Sequence, residues 1–324
     1  MNKHSEGIRN QIIVRLASGH FCSGEVLGEE LGISRAAISG HIKNLIGLGL
    51  DIFSVTGKGY KLASPIQLLD WARIASSRRD DNTAVLEVLN VIDSTNQYIK
   101  DKFAVIDKGH ACVAEAQTAG RGRHGRTWVS PFGASLYLSM YWSFDGGYQV
   151  LGGLSLAVGV AVVSALNQVG VTDVQLKWPN DIYVQGKKLA GVLIEAEGQM
   201  GGACECVVGI GLNVALPANT SGIDQPWIDL AQLSEYAVER NRLAAYLLEE
   251  LQATLEQFEA LGLAPFVDKW RELDVYCDQS IKLIMGKNVV YGICRGIDNT
   301  GALVIETEGV SRAYHGGEIS VRKA

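Results

Sequence analysis

Residues 120–133 read GRGRHGRTWVSPFG, with Arg121, Arg123, His124 and Arg126 spaced by Gly120, Gly122 and Gly125. The glycines satisfy G-x-G-x-x-G, the fingerprint of a dinucleotide-binding turn, and whether that reading holds decides the fold. It requires a helix directly after the third glycine. Here Trp128-Val129-Ser130-Pro131-Phe132-Gly133 follows, and Pro131 with Gly133 opposes a helix. Ser135–Met140 then has strand character. The loop therefore joins strand to strand and the dinucleotide reading fails. The Walker A pattern G-x-x-x-x-G-K-[ST] is absent from the chain as well. What remains is a cationic loop whose glycines allow N–H groups to turn toward an anion and whose guanidiniums suit phosphate or carboxylate. Three clustered guanidiniums repel one another, which predicts a loop that is disordered until an anion arrives. A solvated surface loop and an RNA-contacting one are the competing readings.

Around this loop the pattern predicts strands at 85–91, 111–116, 134–142, 174–178, 182–184, 189–195 and 204–213, and helices at 96–103, 151–168 and 241–261. Strands joined by hairpins with irregularly interleaved helices indicate an α+β fold. Residues 215–229 form a Pro-, Asn- and Gly-rich loop. Past Asp274 short strands with turns at Gly286-Lys287-Asn288 and Asp298-Asn299-Thr300-Gly301 predict a small β-barrel.

The N-terminal segment reads differently. After a helix at 5–18, Leu27, Leu31, Ile38, Ile42 and Leu45 fall at helical spacing, Ser23 and Ser34 are placed to cap, and Gly32 breaks the run. A hairpin around Thr56-Gly57-Lys58-Gly59 follows. Helix-turn-helix plus hairpin is the pattern of a winged helix. Ser34, Arg35, His41, Lys43 and Lys58 are the candidate DNA-contacting residues. Ser64-Pro65 marks a boundary, giving domains at 1–64, 65–272 and 273–324.

Composition agrees. The net charge is −6, which excludes a generally basic nucleic-acid protein. Residues 1–64 hold seven Lys/Arg against five Asp/Glu, a balance of +2 that leaves −8 for the rest. Local DNA contact by an otherwise acidic chain is thus allowed. Six scattered cysteines suit a reducing cytoplasm, and Cys204-Glu-Cys206 reads as part of a strand rather than a zinc site. The N-terminus lacks a signal-peptide core. Residues 146–172 carry no charge but contain glycine and amide side chains, and read as a buried core helix rather than a membrane span.

Two further motifs stand out. Lys177-Trp178-Pro179-Asn180-Asp181 precedes a Gln185-Gly186 turn and Lys188-Leu189-Ala190-Gly191, while Asp93-Ser94-Thr95-Asn96 opens a helix that Gln97 could close as a capping box. Together with the arginine–glycine loop, in this order, they closely resemble the biotin protein ligases. With the N-terminal winged helix, the whole chain resembles the bacterial bifunctional ligases that also repress the biotin operon.

That resemblance implies a central mixed α/β domain like that of class II synthetases and a C-terminal SH3-like barrel. It implies that biotin and MgATP form biotinyl-5′-adenylate, which then biotinylates a lysine of the biotin carboxyl carrier protein. Lys188 and Arg123 would stabilise charge, and Asp181 would orient or deprotonate the acceptor lysine or help bind Mg²⁺. Ser94, Thr95, Asn96, Gln117, Gly120, Arg121, Gly122, Arg123, Lys188 and Trp227 would bind biotin and the nucleotide, with Trp227 covering the adenine. No residue is assigned as a resident metal ligand. The resemblance further implies an adenylate-bound homodimer on operator DNA and no membrane partner. Two departures are visible: Pro217-Ala218 stands where the repressors carry basic residues, and His124 replaces an arginine. A ligase for another acid such as lipoate, or a non-catalytic winged-helix sensor, are the alternatives.

Overall fold

Local chemistry builds the N-terminal module. The computed structural model describes residues 3–79, 84–198, 202–233, 238–316 and 319–324. Helices α1 (Lys3–Ala17), α2 (Gly24–Leu31) and α3 (Arg35–Gly47) are followed by hairpin strands β1 (Ile52–Val55) and β2 (Gly59–Leu62). Ser23 Oγ accepts from the Glu25 N–H and Ser34 Oγ from the Ala37 N–H, each at 3.2 Å. Gly32 ends α2 in the left-handed region at φ 65°. At Gly59 a Cβ would lie 2.1 Å from the Cys22 carbonyl oxygen, so only glycine lets the wing pair with the segment before α2. Ile12, Leu27, Ile38, Ile42, Leu45 and Leu62 bury the module's core, and Phe132 and Ala116 from the central domain complete it.

The chain then crosses residues 66–70, held by a buried ion pair. Arg240 lies 2.8 Å from Glu115, both almost fully buried, and donates to the Gln67 carbonyl. Asn241 donates to the Leu68 carbonyl and Glu115 accepts from the Leu69 N–H. Each charge is thereby hydrogen-bonded as well as paired, the condition for burying one.

The central domain comprises α4 (Trp71–Ser77), β3 (Leu86–Ile92), α5 (Thr95–Lys100), β4 (Ala111–Gln117), β5 (Ser135–Asp145), α6 (Leu154–Gln168), β6 (Gln175–Lys177), β7 (Asp181–Val184), β8 (Lys187–Gly198), β9 (Ala203–Asn213), α7 (Leu230–Leu233), α8 (Arg240–Leu261) and α9 (Val267–Leu273). Its seven strands order as β3-β4-β5-β9-β8-β7-β6, with only β3 and β4 parallel. Alternation assigns the faces. Leu136, Leu138 and Met140 of β5 with Val208, Ile210 and Leu212 of β9 join the core formed with α6 and α8. The opposite face carries Ser139, Gly191, Gly209 and Gly211. The charge-free stretch is α6, buried in that core. The span Tyr148–Gln168 has a mean hydropathy of 2.0, enough by composition to cross a membrane, but is a core helix here. The helix expected at 96–103 is shorter, α5 giving way to a 3₁₀ turn at Phe103–Val105.

The C-terminal unit is a five-stranded antiparallel sheet of β10 (Ser280–Met285), β11 (Asn288–Ile297), β12 (Leu303–Thr307), β13 (Val310–Tyr314) and β14 (Ile319–Lys323), ordered β13-β12-β11-β10-β14. The Val275 N–H donates to the Leu176 carbonyl and Trp178 Nε1 to the Gly301 carbonyl. The tryptophan of the K-W-P-N-D motif thus fastens this unit beside the site.

Candidate functional site

The sheet face opposite α6 and α8 forms the floor of a cavity of about 630 Å³. Gly191 and Gly211 are cross-strand partners, so both bare positions face the same side. Trp128 lies across them, and a Cβ on Gly211 would fall 2.4 Å from its ring. Lys188 reaches this floor through a bulge. Tyr183 pairs with Lys188 but Ile182 pairs with Ala190, so Leu189 is an extra residue. The bulge sends Leu189 into the core and re-aims Lys188 to the cavity, on the side of Asp181 and Tyr183. Lys188 Nζ stands 2.6 Å from Asp181 Oδ1 and 5.2 Å from the centre of the Trp128 ring. The contact with Asp181 is an ion pair between two largely buried side chains. The Gln185-Gly186 turn that returns the strand has φ of 52° and 73° at those residues, the type I′ geometry favoured in two-residue hairpins.

At the other end, Ser94 Oγ caps α5 by accepting from the Gln97 N–H at 3.4 Å. The reciprocal half of the expected capping box is not made: Gln97 Nε2 donates to Asp101 and Gln97 Oε1 accepts from Arg121. Thr95 donates through its N–H and hydroxyl to Gln117 Oε1. Gln117 Nε2 donates in turn to Ser130 Oγ at 3.0 Å. Asn96 is buried, with Nδ2 donating to the Leu193 carbonyl and to Glu195 and Oδ1 accepting from Ser139 Oγ. A Cβ on Gly209 would lie 2.1 Å from Asn96 Oδ1, so this wall leans on bare strand.

The arginine–glycine loop is folded over the cavity, contrary to the disorder expected from self-repulsion. The side chains of Arg121 and Arg123 are met by the body of the domain. Arg121 Nη2 donates to both oxygens of Glu195, at 2.9 and 3.1 Å, and Nη1 to Gln97 Oε1. Arg123 Nη1 donates to Asn180 Oδ1 at 3.0 Å. Burial lowers the Arg123 pKa, with Asp181 opposing that shift. Gly120 is sterically required, since a Cβ there would sit 2.5 Å from the Trp128 carbonyl oxygen. Gly122 is not, its nearest neighbours being 3.6 Å away. His124 adopts φ 57° at the loop tip.

Trp227 is brought to Lys188 by backbone pairing: the Lys188 N–H donates to the Pro226 carbonyl and the Ile228 N–H to the Lys188 carbonyl, both at 3.0 Å. Asp229 accepts from the Leu216 and Gln232 N–H groups and closes the base of the 215–229 loop. Ser94, Thr95, Asn96, Gln117, Arg121, Gly122, Arg123, Asp181, Lys188 and Trp227 all line the one cavity; Gly120 supports it from behind. Sequence reading missed Trp128, Asn180, Ser139 and Glu195. Trp128 and Asn180 lie inside quoted motifs and were open to notice, whereas Ser139 and Glu195 carry no local signal. Lys177 and, from the C-terminal unit, Tyr276 and Arg322 also line the cavity. Burial lowers the Lys177 pKa, Asp181 opposing, and its ammonium donates to the Tyr183 hydroxyl. Among the described residues no cluster of three or more His, Cys, Asp or Glu could hold a metal ion.

On the winged helix Arg35, Lys43 and Lys58 are exposed, and Lys58 and Lys61 both stand over the Phe21 ring. Ser34 spends its hydroxyl on capping. His41 does not share the exposed face of α3. It is half-buried on the opposite flank from Arg35, its Nδ1 is buried without a partner, and desolvation and Arg9 hold its pKa down. His41 and Lys43 were candidates as neighbours in sequence on α3, but two residues apart on a helix they point to different sides.

Comparison with known proteins places these features. Residues 88–213 match the model of the Biotin/lipoate A/B protein ligase family, residues 8–61 an HTH domain and residues 276–322 the Biotin protein ligase C terminal domain. The chain is 50% identical to the Bifunctional ligase/repressor BirA of Salmonella typhimurium and 48% identical to that of Escherichia coli, in each case over 97% of both chains. Its fold is similar to the biotin protein ligase from Aquifex aeolicus solved in complex with biotin and ATP. That likeness has a TM-score of 0.65 and 30% identity, and covers 74% of this chain and 99% of that one. Half-identical to full-length relatives, with their three domain types in one order and one cavity holding the motif residues, the chain belongs to the bifunctional ligase/repressor family of biotin protein ligases.

Proposed function

We propose that this chain activates biotin with ATP, transfers it to a lysine of the biotin carboxyl carrier protein, and represses transcription when the adenylate is retained. The reading is supported above all by the convergence of Ser94–Asn96, Gln117, Arg123 and Lys188 on one cavity. A ureido head group needs donors and acceptors together, which the hydroxyls and amides at one end supply. At the other end Lys188 and Arg123 are cations held in place before the reaction begins. The biotin carboxylate oxygen attacks the α-phosphorus, the bond to the bridging oxygen breaks, and pyrophosphate leaves. Charge accumulates on oxygens next to these fixed cations, which lowers the barrier.

In the second step the acceptor amine attacks the acyl carbon and AMP leaves. A free lysine is protonated at neutral pH, its pKa being about 10.4, so its proton must be removed. Asp181 lines the cavity beside Lys188, and its carboxylate would orient the ammonium and take that proton. Mg²⁺ fits as an ion carried in by the triphosphate, since it binds through few carboxylates and substrate phosphates and Asp181 is a carboxylate at hand. When bound it would neutralise phosphate charge. Trp227, anchored beside Lys188, would cover the adenine.

For regulation, we infer that the divisions at 1–64, 65–272 and 273–324 act as DNA-binding, ligase and accessory units. Past the β7 pairing, β8 from Ile194 to Gly198 has no strand on its outer side among the described residues. Such an edge suits pairing with a second copy or with the carrier. An adenylate-bound homodimer would present two winged helices to a palindromic operator. The cysteines are free, consistent with a cytoplasmic setting.

Mass spectrometry of a carboxyl carrier domain incubated with the chain, MgATP and either biotin or lipoate tests the ligase reading. A biotin-sized mass gain is expected. Gain with lipoate alone, or none, overturns it in favour of a different acid or a sensor. For the DNA arm, Arg35→Ala and Lys43→Ala should each flatten the salt dependence of operator binding by about one unit of slope, and unchanged slopes would remove both from the interface.

A further inference from the structure

Glu195 has no part in the chemistry above, yet three elements of the site meet on its carboxylate. It lies on β8 opposite Val207, on the cavity side of the sheet. Its Oε2 accepts from Asn96 Nδ2 at 2.8 Å and from Arg121 Nη2 at 2.9 Å, while Oε1 accepts from the same Arg121 nitrogen at 3.1 Å. Asn96 belongs to the wall around the head group, and Arg121 belongs to the loop that covers it. Lys100 stands farther off, at 3.9 Å, and is engaged at 3.0 Å with Glu197. Arg121's other terminal nitrogen is spent on Gln97 Oε1, again on α5. The guanidinium is therefore committed to the domain itself on both sides of its fork.

We propose that Glu195 is a positioning residue that holds the arginine–glycine loop shut through Arg121, and that Arg121 closes the cavity rather than neutralising the ligand's anion. The anion falls to Arg123 and Lys188, which line the cavity beside Asn180 and Asp181. The arrangement reduces the self-repulsion that would otherwise favour an open loop: one guanidinium is neutralised by Glu195, and Arg123 docks on Asn180, with Asp181 opposing the repulsion from Arg126. It also couples lid and wall. Asn96 cannot move off Gly209 without loosening the same carboxylate that holds Arg121. Because the pair is partly solvated, with side chains 37% and 24% exposed, its strength is modest. That suits a loop that must open to admit substrate and release product.

The sign of the effect separates this from the obvious alternative. If Arg121 bound the ligand and Glu195 merely competed for it, removing the carboxylate charge would free the arginine and lengthen adenylate retention. If Glu195 holds the loop, the same change shortens it. This rests on the ligase reading, so two measurements are needed. In the first, full-length chain is loaded with biotin and MgATP, and loss of labelled adenylate is followed after a chase. Glu195→Gln and Arg121→Gln should each shorten its lifetime about fivefold, more than either slows its formation. The double variant should be no worse than either single one, the non-additivity expected of a pair acting as a unit. An unchanged or longer lifetime in Glu195→Gln, or single effects that multiply, overturns the proposal. In the second, amide hydrogen exchange of residues 120–128 is measured without ligand. Glu195→Gln should speed it about fivefold while protection of β5 and β9 stays as in the parent. Parent-like exchange of the loop overturns the proposal even if no adenylate forms, and wild-type failure to form adenylate would by itself count only against the ligase reading.

Discussion

On the floor of the cavity, Lys188 is aimed by a bulge in a strand, Asn96 is wedged against a bare glycine, and Gly191 and Gly211 face each other across a ladder. In the loop above, Arg121 and Arg123 reach the body of the domain through their side chains, and the backbone is closed on itself by a few bonds such as Gly122 N–H to the Arg126 carbonyl. The floor inherits its geometry from buried sheet and cannot shift without disturbing the core. The lid inherits its geometry from charge pairs in partial contact with water, and such pairs open at little cost. Floor residues should therefore govern whether the intermediate forms, and lid residues how long it stays.

The strongest way to break that division is Lys188→Ala. We expect adenylate formation, followed by ATP–pyrophosphate exchange, to fall by about 10²–10³-fold, the scale of losing one preorganised charge-stabilising group. Near-normal exchange would take Lys188 out of the chemistry. Next comes Gly209→Ala, where the new methyl would meet Asn96 Oδ1 at 2.1 Å. Forcing the wall outward costs about 2 kcal/mol, or roughly thirtyfold in biotin affinity by calorimetry. Unaltered affinity would mean the wall yields and is not part of a rigid floor.

Arg123→Ala tests the lid. Losing a charged hydrogen-bond donor of about 1.5 kcal/mol should shorten the adenylate lifetime roughly tenfold, and slow its formation far less than Lys188→Ala does. A loss of formation as large as that of Lys188→Ala would erase the distinction between lid and floor. The smallest effect on the site is expected from Asp274→Asn, outside both regions, where the C-terminal unit meets β6. Burial raises the Asp274 pKa from 3.8 to about 6, against the Tyr276 N–H and Cys294 contacts that lower it. The folded chain thus holds a proton that the unfolded chain releases between these values. The contribution of Asp274 to stability should be fully present below about pH 4 and be lost as pH rises through 6. Asp274→Asn should remove that decline and stabilise the fold at pH 7.5 by about 1 kcal/mol, seen in thermal unfolding at pH 4.5 and 7.5, while adenylate lifetime stays the same.

The winged helix was legible almost residue by residue because its signals are local. Ser23, Gly32 and Ser34 each act within a few positions of themselves, as caps do. That His41 lies off the exposed face was not legible, because a place in the sequence of a helix does not show what surrounds it, in this case the burial, and the charge of Arg9 on α1, that hold its pKa down. In the site, the motif residues were legible as chemistry. The bulge at Leu189 was not, because it exists only relative to β7. The capping box at Ser94 was half right, since Gln97 is claimed by Arg121 from twenty-four positions away.

Alone, the sequence determined the α+β class, the three-part order, and the cast of polar groups that line the cavity, since periodicity, caps, turns and composition act over short stretches of chain. Tertiary structure alone decided that the loop lies closed and which groups its arginines meet. Those outcomes depend on Glu195 meeting Arg121 across seventy-four positions. Charge repulsion is readable from a few adjacent residues, but its neutralisation depends on which distant carboxylate the folded sheet brings within reach.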